Sequence, residues 1–155
     1  MAEPALRLLV GPEDFDPGAE IAGLGEAGDA SGAVASFVGL VRGAVDGVRA
    51  MTLEHYPGMT EKQIAATMQE AMRRWPLAAV TVIHRVGRLL PGERIVFAGV
   101  AARHRGEAFA ACEFLVDWLK TRAPFWKLEE TDQGERWVEA RAEDDRRAAR
   151  WESGD

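Results

Sequence analysis

The feature that most constrains this chain is a proline that ends a helix between two lysines. The apolar residues before it recur at helical spacing, at positions 108, 111, 112, 115 and 119. Pro124 disfavours helical geometry at the preceding residue, so the helix must end there. Lys120 then lies in the last helical turn, whereas Lys127 lies beyond the break, where a strand begins. Their ammonium groups can meet only if the chain turns back at Pro124, with Phe125 or Trp126 anchored in the core. Such a turn would build a pocket for an anion.

The rest of the chain alternates strand patterns with helix patterns. Strands are predicted over 5–10, 33–41, 48–56, 80–86, 95–102, 125–131 and 136–140, and helices over 17–24, 60–75, 106–122 and 142–151. Thr60 and Gln63 fit a capping box for the second helix. The loop 43–47 predicts that strands 33–41 and 48–56 pair as an antiparallel hairpin. This order favours an α+β fold with a mixed or antiparallel sheet.

Length and charge narrow the class of protein. A chain of 155 residues predicts one domain over residues 1–155, with residues 152–155 disordered. The net charge of −6 argues against a general nucleic-acid binder, which needs a basic surface. Cys112, the single cysteine, excludes an internal disulfide and falls on the apolar helix face, where we expect a buried thiol. Without an N-terminal signal pattern or a membrane-length apolar run, we expect a soluble cytoplasmic protein.

Cationic residues lie at the ends of several predicted elements, where binding sites usually form. Each of them alone is more often solvated or caps a carbonyl, but four separate segments supply them. The sequence contains no Gly-rich phosphate loop, no serine nucleophile elbow and no HExxH. These residues therefore predict a small anion-binding α+β protein; the cations are Arg42, Arg103, His104, Arg105, Lys120 and Lys127.

Four segments carry a family resemblance. They are LEHYPGMTEK at 53–62, RWPL at 74–77, VIHRVG at 82–87 and LKTRAPFWK at 119–127, in that order. Together they resemble the large, catalytic subunits of molybdopterin synthases. The resemblance runs from about residue 32 to residue 151, and the segment 119–127 is the most specific part.

The resemblance implies a fold, a partner and a reaction. The fold would be of the α/β hammerhead type with a small extra β subdomain. The chain would form a homodimer, and each copy would bind a small ubiquitin-like subunit to give a heterotetramer. The small subunit's Gly-Gly tail, ending in a thiocarboxylate, would enter a pocket and give sulfur to cyclic pyranopterin monophosphate, precursor Z. Two such transfers would form the dithiolene of molybdopterin.

The resemblance also implies the site residues. Lys120 and Lys127 match the catalytic lysines, and no metal or cofactor is implied for sulfur transfer. Trp137 and Trp151 either help form the partner surface or complete the chain's own core, and the sequence leaves both possibilities open. The implied substrate-binding positions are Leu40, Val41, Arg42, His104, Arg105, Lys127, Leu128 and Glu129.

Two alternatives from other classes remain at this point. The first is a non-catalytic adaptor that binds a ubiquitin-like tail or an anionic ligand. The presence of both Lys120 and Lys127 argues against it. The second is an unrelated hydrolase or acyltransferase that acts on a phosphorylated substrate, which would need a nucleophile or metal site that the sequence does not show.

Overall fold

A computed structural model describes residues 4–27, 31–43, 47–138 and 142–152 of the chain. The expected α+β class is confirmed. The elements, in chain order, are β1 (Ala5–Gly11), α1 (Pro17–Gly25), β2 (Ala33–Leu40), β3 (Val48–His55), α2 (Met59–Arg74), β4 (Leu77–Arg85), β5 (Gly87–Leu89), β6 (Arg94–Ala102), α3 (Arg105–Arg122), β7 (Phe125–Thr131), β8 (Gly134–Trp137) and α4 (Ala142–Ala149).

The larger of two sheets has the strand order β1-β4-β6-β2 and is mixed. β1 runs parallel to β4, whereas β4–β6 and β6–β2 are antiparallel. The two central strands, β4 and β6, are buried over most of their lengths. Their sequences are nearly continuous apolar runs because both faces of the sheet are covered.

Helices cover both faces of this sheet, and the side-chain alternation of the strands decides which residues meet which helix. Val80 and Val82 pack with α2 and α3 in the main core, which also contains Phe114 and Leu115. Ile83, which follows Val82, packs on the opposite face with Leu24 of α1 and with Phe97 of β6. The next residue in the first series, at position 84, therefore faces the α3 side at the end of β4.

The smaller sheet has the order β5-β3-β7-β8 and is entirely antiparallel. Its own core consists of Val41, Leu53 and Leu89, with Met51 and Ile95 packed against it. It forms the small extra β unit that the resemblance implied. Because β7 directly follows α3, the residues after Pro124 form a strand of this smaller sheet.

The predicted hairpin of β2 and β3 is wrong. β2 pairs with β6 in the larger sheet, and β3 pairs with β5 and β7 in the smaller one. The backbone leaves the larger sheet at Val41, whose N–H donates to Glu93 O (2.9 Å) and whose carbonyl accepts from Gly92 N–H (2.9 Å). These bonds to the turn before β6 direct the chain into the second sheet. Residues 44–46 of the predicted loop lie outside the described residues.

The predicted capping box of α2 is also wrong. The helix begins at Met59, and Glu61 reaches back to accept a hydrogen bond from Gly58 N–H at 3.3 Å. Thr60 is used differently, because its hydroxyl accepts from Tyr56 N–H (2.9 Å) and donates to Pro124 O (3.0 Å). The start of α2 is thereby joined to the break after α3.

The C-terminal elements differ slightly from their predicted bounds, and they separate the two tryptophans. β8 begins at Gly134, two residues earlier than predicted; positions 139 and 140 lie outside the described residues. Trp137 is 58% exposed on β8, whereas Trp151 packs on Trp75 and Phe114. Trp151 therefore completes the core.

Residues 152–155 were expected to be disordered. Glu152 pairs with Arg122 (3.2 Å), and residues 153–155 lie outside the described residues.

Candidate active site

The break between α3 and β7 is held by hydrogen bonds on both sides of Pro124. Ala123 leaves the helix in an extended conformation (φ −81°, ψ 125°), as expected for a residue before proline. Phe125 N–H donates to Ala123 O (3.0 Å), and the Thr60 hydroxyl holds the carbonyl of Pro124. Lys120 is in the last turn of α3 and Lys127 is the third residue of β7.

Both lysines line one cavity of about 390 Å³, so the chain does turn back as the sequence predicted. Lys120 is exposed and Lys127 is partly buried. Arg42, which follows β2, also lines the cavity. Its walls come from β2, β4, β6, α3 and β7, and the lining residues are Phe37, Val38, Gly39, Leu40, Arg42, His84, Ile95, Val96, Val116, Leu119, Lys120, Ala123, Phe125 and Lys127.

His84 is a cavity residue that the sequence analysis did not select. Its ring stacks on Phe125, with centroids 3.8 Å apart and planes 16° apart, and its Nδ1 lies 2.8 Å from Arg85 O. Burial, together with the charges of Lys127 and Lys120, lowers the pKa of His84 to about 4. The imidazole is therefore neutral at physiological pH. In the sequence, the one feature that could have drawn attention to His84 is that it is a histidine within an otherwise apolar, β-branched strand pattern.

Arg42 is positioned by the crossing between the two sheets. The preceding Val41 is 3% exposed and anchors the segment through its side chain in the core of the smaller sheet. Gly43 follows, and a Cβ there would lie 2.2 Å from side-chain atoms of Pro91, so only glycine fits. Arg42 itself is exposed, and both Arg42 and Leu40 line the cavity.

His104 and Arg105 lie elsewhere on the chain. His104 is the N-cap of α3 and Arg105 is its first residue, and both are exposed. With a rise of 1.5 Å per residue, the start of α3 is about 22 Å from Lys120. A single copy of the chain therefore does not bring these two residues to the cavity.

Three further predicted substrate-binding residues are not part of the cavity lining. Val41 is a core residue, as described above. Leu128 shares a face of β7 with the exposed Trp126, on the side opposite to Lys127. Glu129 points to the same side as Lys127 and accepts a hydrogen bond from Arg136 at 2.9 Å. Of the eight predicted positions, those that line the cavity are Leu40, Arg42 and Lys127.

The described ranges 4–27, 31–43, 47–138 and 142–152 contain no cluster of three or more His, Cys, Asp or Glu side chains that could hold a metal ion. Within those ranges, no helix is long and apolar enough to span a membrane. Cys112 is buried, and burial raises the pKa of its thiol to about 11, which is the opposite of an activated thiolate. The ionisable side chains that line the cavity are Arg42, His84, Lys120 and Lys127.

Comparison with known proteins identifies the family. A family model described as MoaE protein matches residues 10–122, more than half of the chain. The chain belongs to the MoaE protein family. The molybdopterin synthase catalytic subunit of Escherichia coli (strain K12) is 55% identical over 147 residues, covering 94% of this chain and 97% of that protein.

Solved structures of the family agree with this fold. The molybdopterin biosynthesis MoaE protein from Burkholderia ambifaria is 53% identical, with a TM-score of 0.80, covering 94% of this chain and 97% of that one. A more distant structure is a complex of subunits 1 and 2 of the molybdopterin-converting factor from Helicobacter pylori. It is 19% identical, with a TM-score of 0.70, and covers 88% of this chain and 91% of that one, so this likeness concerns the fold.

Proposed function

We propose that this chain is the catalytic subunit of a molybdopterin synthase. It transfers sulfur from the thiocarboxylated C-terminal glycine of a small ubiquitin-like subunit to precursor Z and so forms the dithiolene of molybdopterin. The observation that carries the proposal is the shared cavity of Lys120 and Lys127, with Arg42 at the same cavity. The membership of the MoaE protein family supports the same reaction.

The charge of the cavity suits two anionic reactants. A cyclic phosphate and a thiocarboxylate repel each other, and a site with several cations offsets that repulsion while holding the reacting atoms together. Arg42, Lys120 and Lys127 supply the positive charge, and the neutral His84 adds none at physiological pH. The apolar walls strengthen these interactions by reducing the local dielectric constant.

The use of lysine rather than arginine supports proton transfer or nucleophilic chemistry. Only Lys62, Lys120 and Lys127 are lysines; the rest of the 19 cationic residues are arginines. An arginine side chain remains protonated in proteins, whereas a lysine amine can act as an acid, a base or a nucleophile. Two of the chain's three lysines thus lie where a group able to release a proton is useful.

The two lysines take different roles in this proposal. Lys120, at the exposed end of α3, meets the incoming thiocarboxylate tail, where it stabilises charge on the acyl group or accepts that group transiently. Lys127, deeper in the cavity, acts as acid or base while the cyclic phosphate opens and sulfur adds to the pterin.

Precursor Z is held by cations from two copies of the chain. Arg42 binds the phosphate from the same copy as the lysines, through parallel guanidinium hydrogen bonds. His104 and Arg105 are about 22 Å from Lys120 within one copy, so in this proposal they are contributed by the second copy of a homodimer. Of the remaining predicted positions, Val41 anchors the segment before Arg42 in the core of the smaller sheet, and Leu128 and Glu129 follow Lys127 on β7.

The partner subunit completes the enzyme as part of a heterotetramer. Its Gly-Gly tail extends to Lys120, the more exposed of the two lysines. The outer face of the smaller sheet carries Trp126 (47% exposed), Trp137 (58% exposed) and, at the end of β3, Tyr56 (58% exposed). Large aromatic side chains are favoured at protein interfaces, and we assign this face to the partner.

Replacing Lys120 tests the reaction directly. With purified thiocarboxylated partner and precursor Z, Lys120→Ala is expected to lose nearly all product formation. Lys120→Arg keeps the positive charge but cannot readily release a proton, so it is expected to bind both reactants and still turn over at least about 100-fold more slowly. Lys62→Ala, on an exposed position of α2, is the matched control and should retain wild-type turnover. Wild-type activity in Lys120→Ala would remove this residue from the mechanism.

Arg42 is tested by binding rather than by turnover. Arg42→Ala should weaken the binding of precursor Z by about 10-fold or more, because a charge-assisted pair with the phosphate is lost. Isothermal titration calorimetry measures the dissociation constant, with Arg49→Ala as a control for an exposed arginine on β3. An unchanged dissociation constant in Arg42→Ala would contradict the phosphate contact.

A further inference from the structure

His84 lines the cavity from the central strand β4, and the reaction proposed above gives it no role. Its orientation is fixed by the stacking on Phe125 and by the 2.8 Å contact of Nδ1 with Arg85 O. A carbonyl oxygen can only accept a hydrogen bond, so Nδ1 carries the hydrogen. In the neutral ring, Nε2 then holds the free lone pair. The side chain has one orientation and one tautomer.

Strand geometry brings Lys127 to this ring. Phe125 and Lys127 are two residues apart on β7, so their side chains leave the same face of the strand about 7 Å apart. With Phe125 stacked on the imidazole, Lys127 is the next side chain along that face. The charge of Lys127 acts on the His84 ring more strongly than that of Lys120 does.

We propose that His84 is a positioning residue for Lys127, with its Nε2 accepting a hydrogen bond from the lysine ammonium and holding it toward the substrate. The proposal rests on the function above, in which the cavity attracts two anions. A carboxylate at this position would form an ion pair with Lys127 and cancel its charge. An apolar residue would leave a partly buried ammonium without this acceptor. A neutral acceptor avoids both effects.

The surroundings keep the ring neutral. Lys127 of β7, Lys120 of α3 and Arg42 after β2 line the same cavity as the ring, and His55 of β3 also acts on it. All of these groups are cationic or can become so, and burial acts in the same direction. Only the hydrogen bond to Arg85 O favours protonation. The acceptor lone pair therefore persists at the pH at which the enzyme would work.

The wild-type chain provides the first test. The sequence has three histidines, at positions 55, 84 and 104, so a long-range ¹H–¹⁵N spectrum can resolve each ring. At about pH 7, His84 should show a protonated Nδ1 and an unprotonated Nε2. A charged ring, or the tautomer with hydrogen on Nε2, would overturn the proposal without any substitution.

Two variants provide the second test, read by NMR of ¹³C-labelled lysine. The amide of Gln reaches the position of Nε2, and that of Asn reaches only the position of Nδ1. In His84→Gln, Lys127 should titrate within about 0.3 pH unit of the wild-type midpoint, and in His84→Asn its midpoint should fall by about 1 pH unit, because the acceptor for the charged form is lost. Lys62 is the internal reference and should not move in either variant.

An unchanged Lys127 midpoint in His84→Asn, or an equal fall in both variants, would overturn the proposal. If neither variant folds, the wild-type tautomer measurement still decides. Both measurements need no substrate and no partner subunit. A negative result here therefore leaves the sulfur-transfer function standing, and a failure of that function in the Lys120 experiment leaves the contact between His84 and Lys127 measurable.

Discussion

Burial gives two side chains properties that they do not have in water. His84 is 8% exposed and its pKa falls to about 4, whereas Cys112 is 6% exposed and its thiol pKa rises to about 11. Both shifts have the same main cause, because removal from water disfavours the charged form of either group. The imidazole and the thiol are both neutral at physiological pH as a result.

The His84 shift predicts how stability depends on pH. Its pKa is about 4 in the folded chain against 6.5 in the unfolded one, so the unfolded state binds the proton more tightly. The stabilisation is fully present above pH 6.5 and is lost as the pH falls toward 4, by about 3 kcal/mol in total. Urea unfolding of wild type and His84→Gln through this range measures it. The slope of the unfolding free energy against pH should be smaller in the variant; equal slopes would contradict a buried neutral His84.

The Cys112 shift predicts low reactivity. With a thiol pKa of about 11 and a side chain inside the main core, iodoacetamide at about pH 8 should label the folded chain at least about 100-fold more slowly than the urea-unfolded chain. Mass spectrometry measures the labelling rate. Since Cys112 is the only cysteine, no other thiol contributes to the signal. Comparable rates in the two states would show that the helix face around Cys112 opens.

At the scale of elements, the C-terminal segment is joined to α3 by two carboxylates, the exposed Glu113, which pairs with Arg147 and Arg150, and the buried Asp117. Asp117 is 4% exposed and accepts hydrogen bonds from Arg147 Nε (3.2 Å), an Arg150 guanidinium nitrogen (3.1 Å) and Trp151 Nε1 (2.7 Å). It lies one turn before Lys120 on α3. The C-terminal helix thus braces the segment of α3 that carries the candidate catalytic lysine.

Removing the Asp117 carboxylate should loosen the attachment of α4 to α3. Asp117→Asn leaves an indole N–H and two guanidinium groups facing an amide, while Glu113 still pairs with both guanidinium groups, and should lower the free energy of unfolding by about 2 kcal/mol. Asp145→Asn, an exposed position on α4, is the matched control and should change it by less than about 0.5 kcal/mol. Urea denaturation measures both. Hydrogen exchange should show that residues 142–152 lose protection first in Asp117→Asn; unchanged exchange there would contradict the bracing role.

At the scale of the whole molecule, the length of α3 separates the two sets of predicted anion-binding residues. Arg105 begins the helix and Lys120 lies in its last turn, about 22 Å away. In the proposed homodimer, the related copy supplies Arg105 to the cavity of its neighbour, so each dimer has two composite sites.

Mixing two inactive variants tests this arrangement. Lys120→Ala and Arg105→Ala should each be inactive alone. After unfolding and refolding together in equal amounts, half of the dimers are mixed, and each mixed dimer has one intact site, so activity should recover to about one quarter of wild type. The assay is product formation with the thiocarboxylated partner. No recovery, with dimers confirmed by light scattering, would mean that Arg105 acts on the cavity of its own copy, and wild-type activity of Arg105→Ala alone would remove Arg105 from the site.

The sequence by itself determined the local structure and the family. The apolar spacing and Pro124 set the end of α3, and the segment 119–127 led to the resemblance that the family comparison confirmed. The fold class followed from the order of the strand and helix patterns. These conclusions depend on the conformational preferences of residues close together in the chain, or on recognisable sequence motifs, and a single sequence contains both.

Only the tertiary structure decided which strands pair and which residues meet. The β2–β3 hairpin was wrong because a short loop does not reveal that Val41 bonds to the turn before β6, which sends β3 into a second sheet. His84 gave no signal beyond its place in an apolar strand, since the cavity that it shares with Lys127 is formed by elements distant in sequence. Pairing and cavity formation are long-range events, and their free energy comes from burial that the linear pattern does not specify.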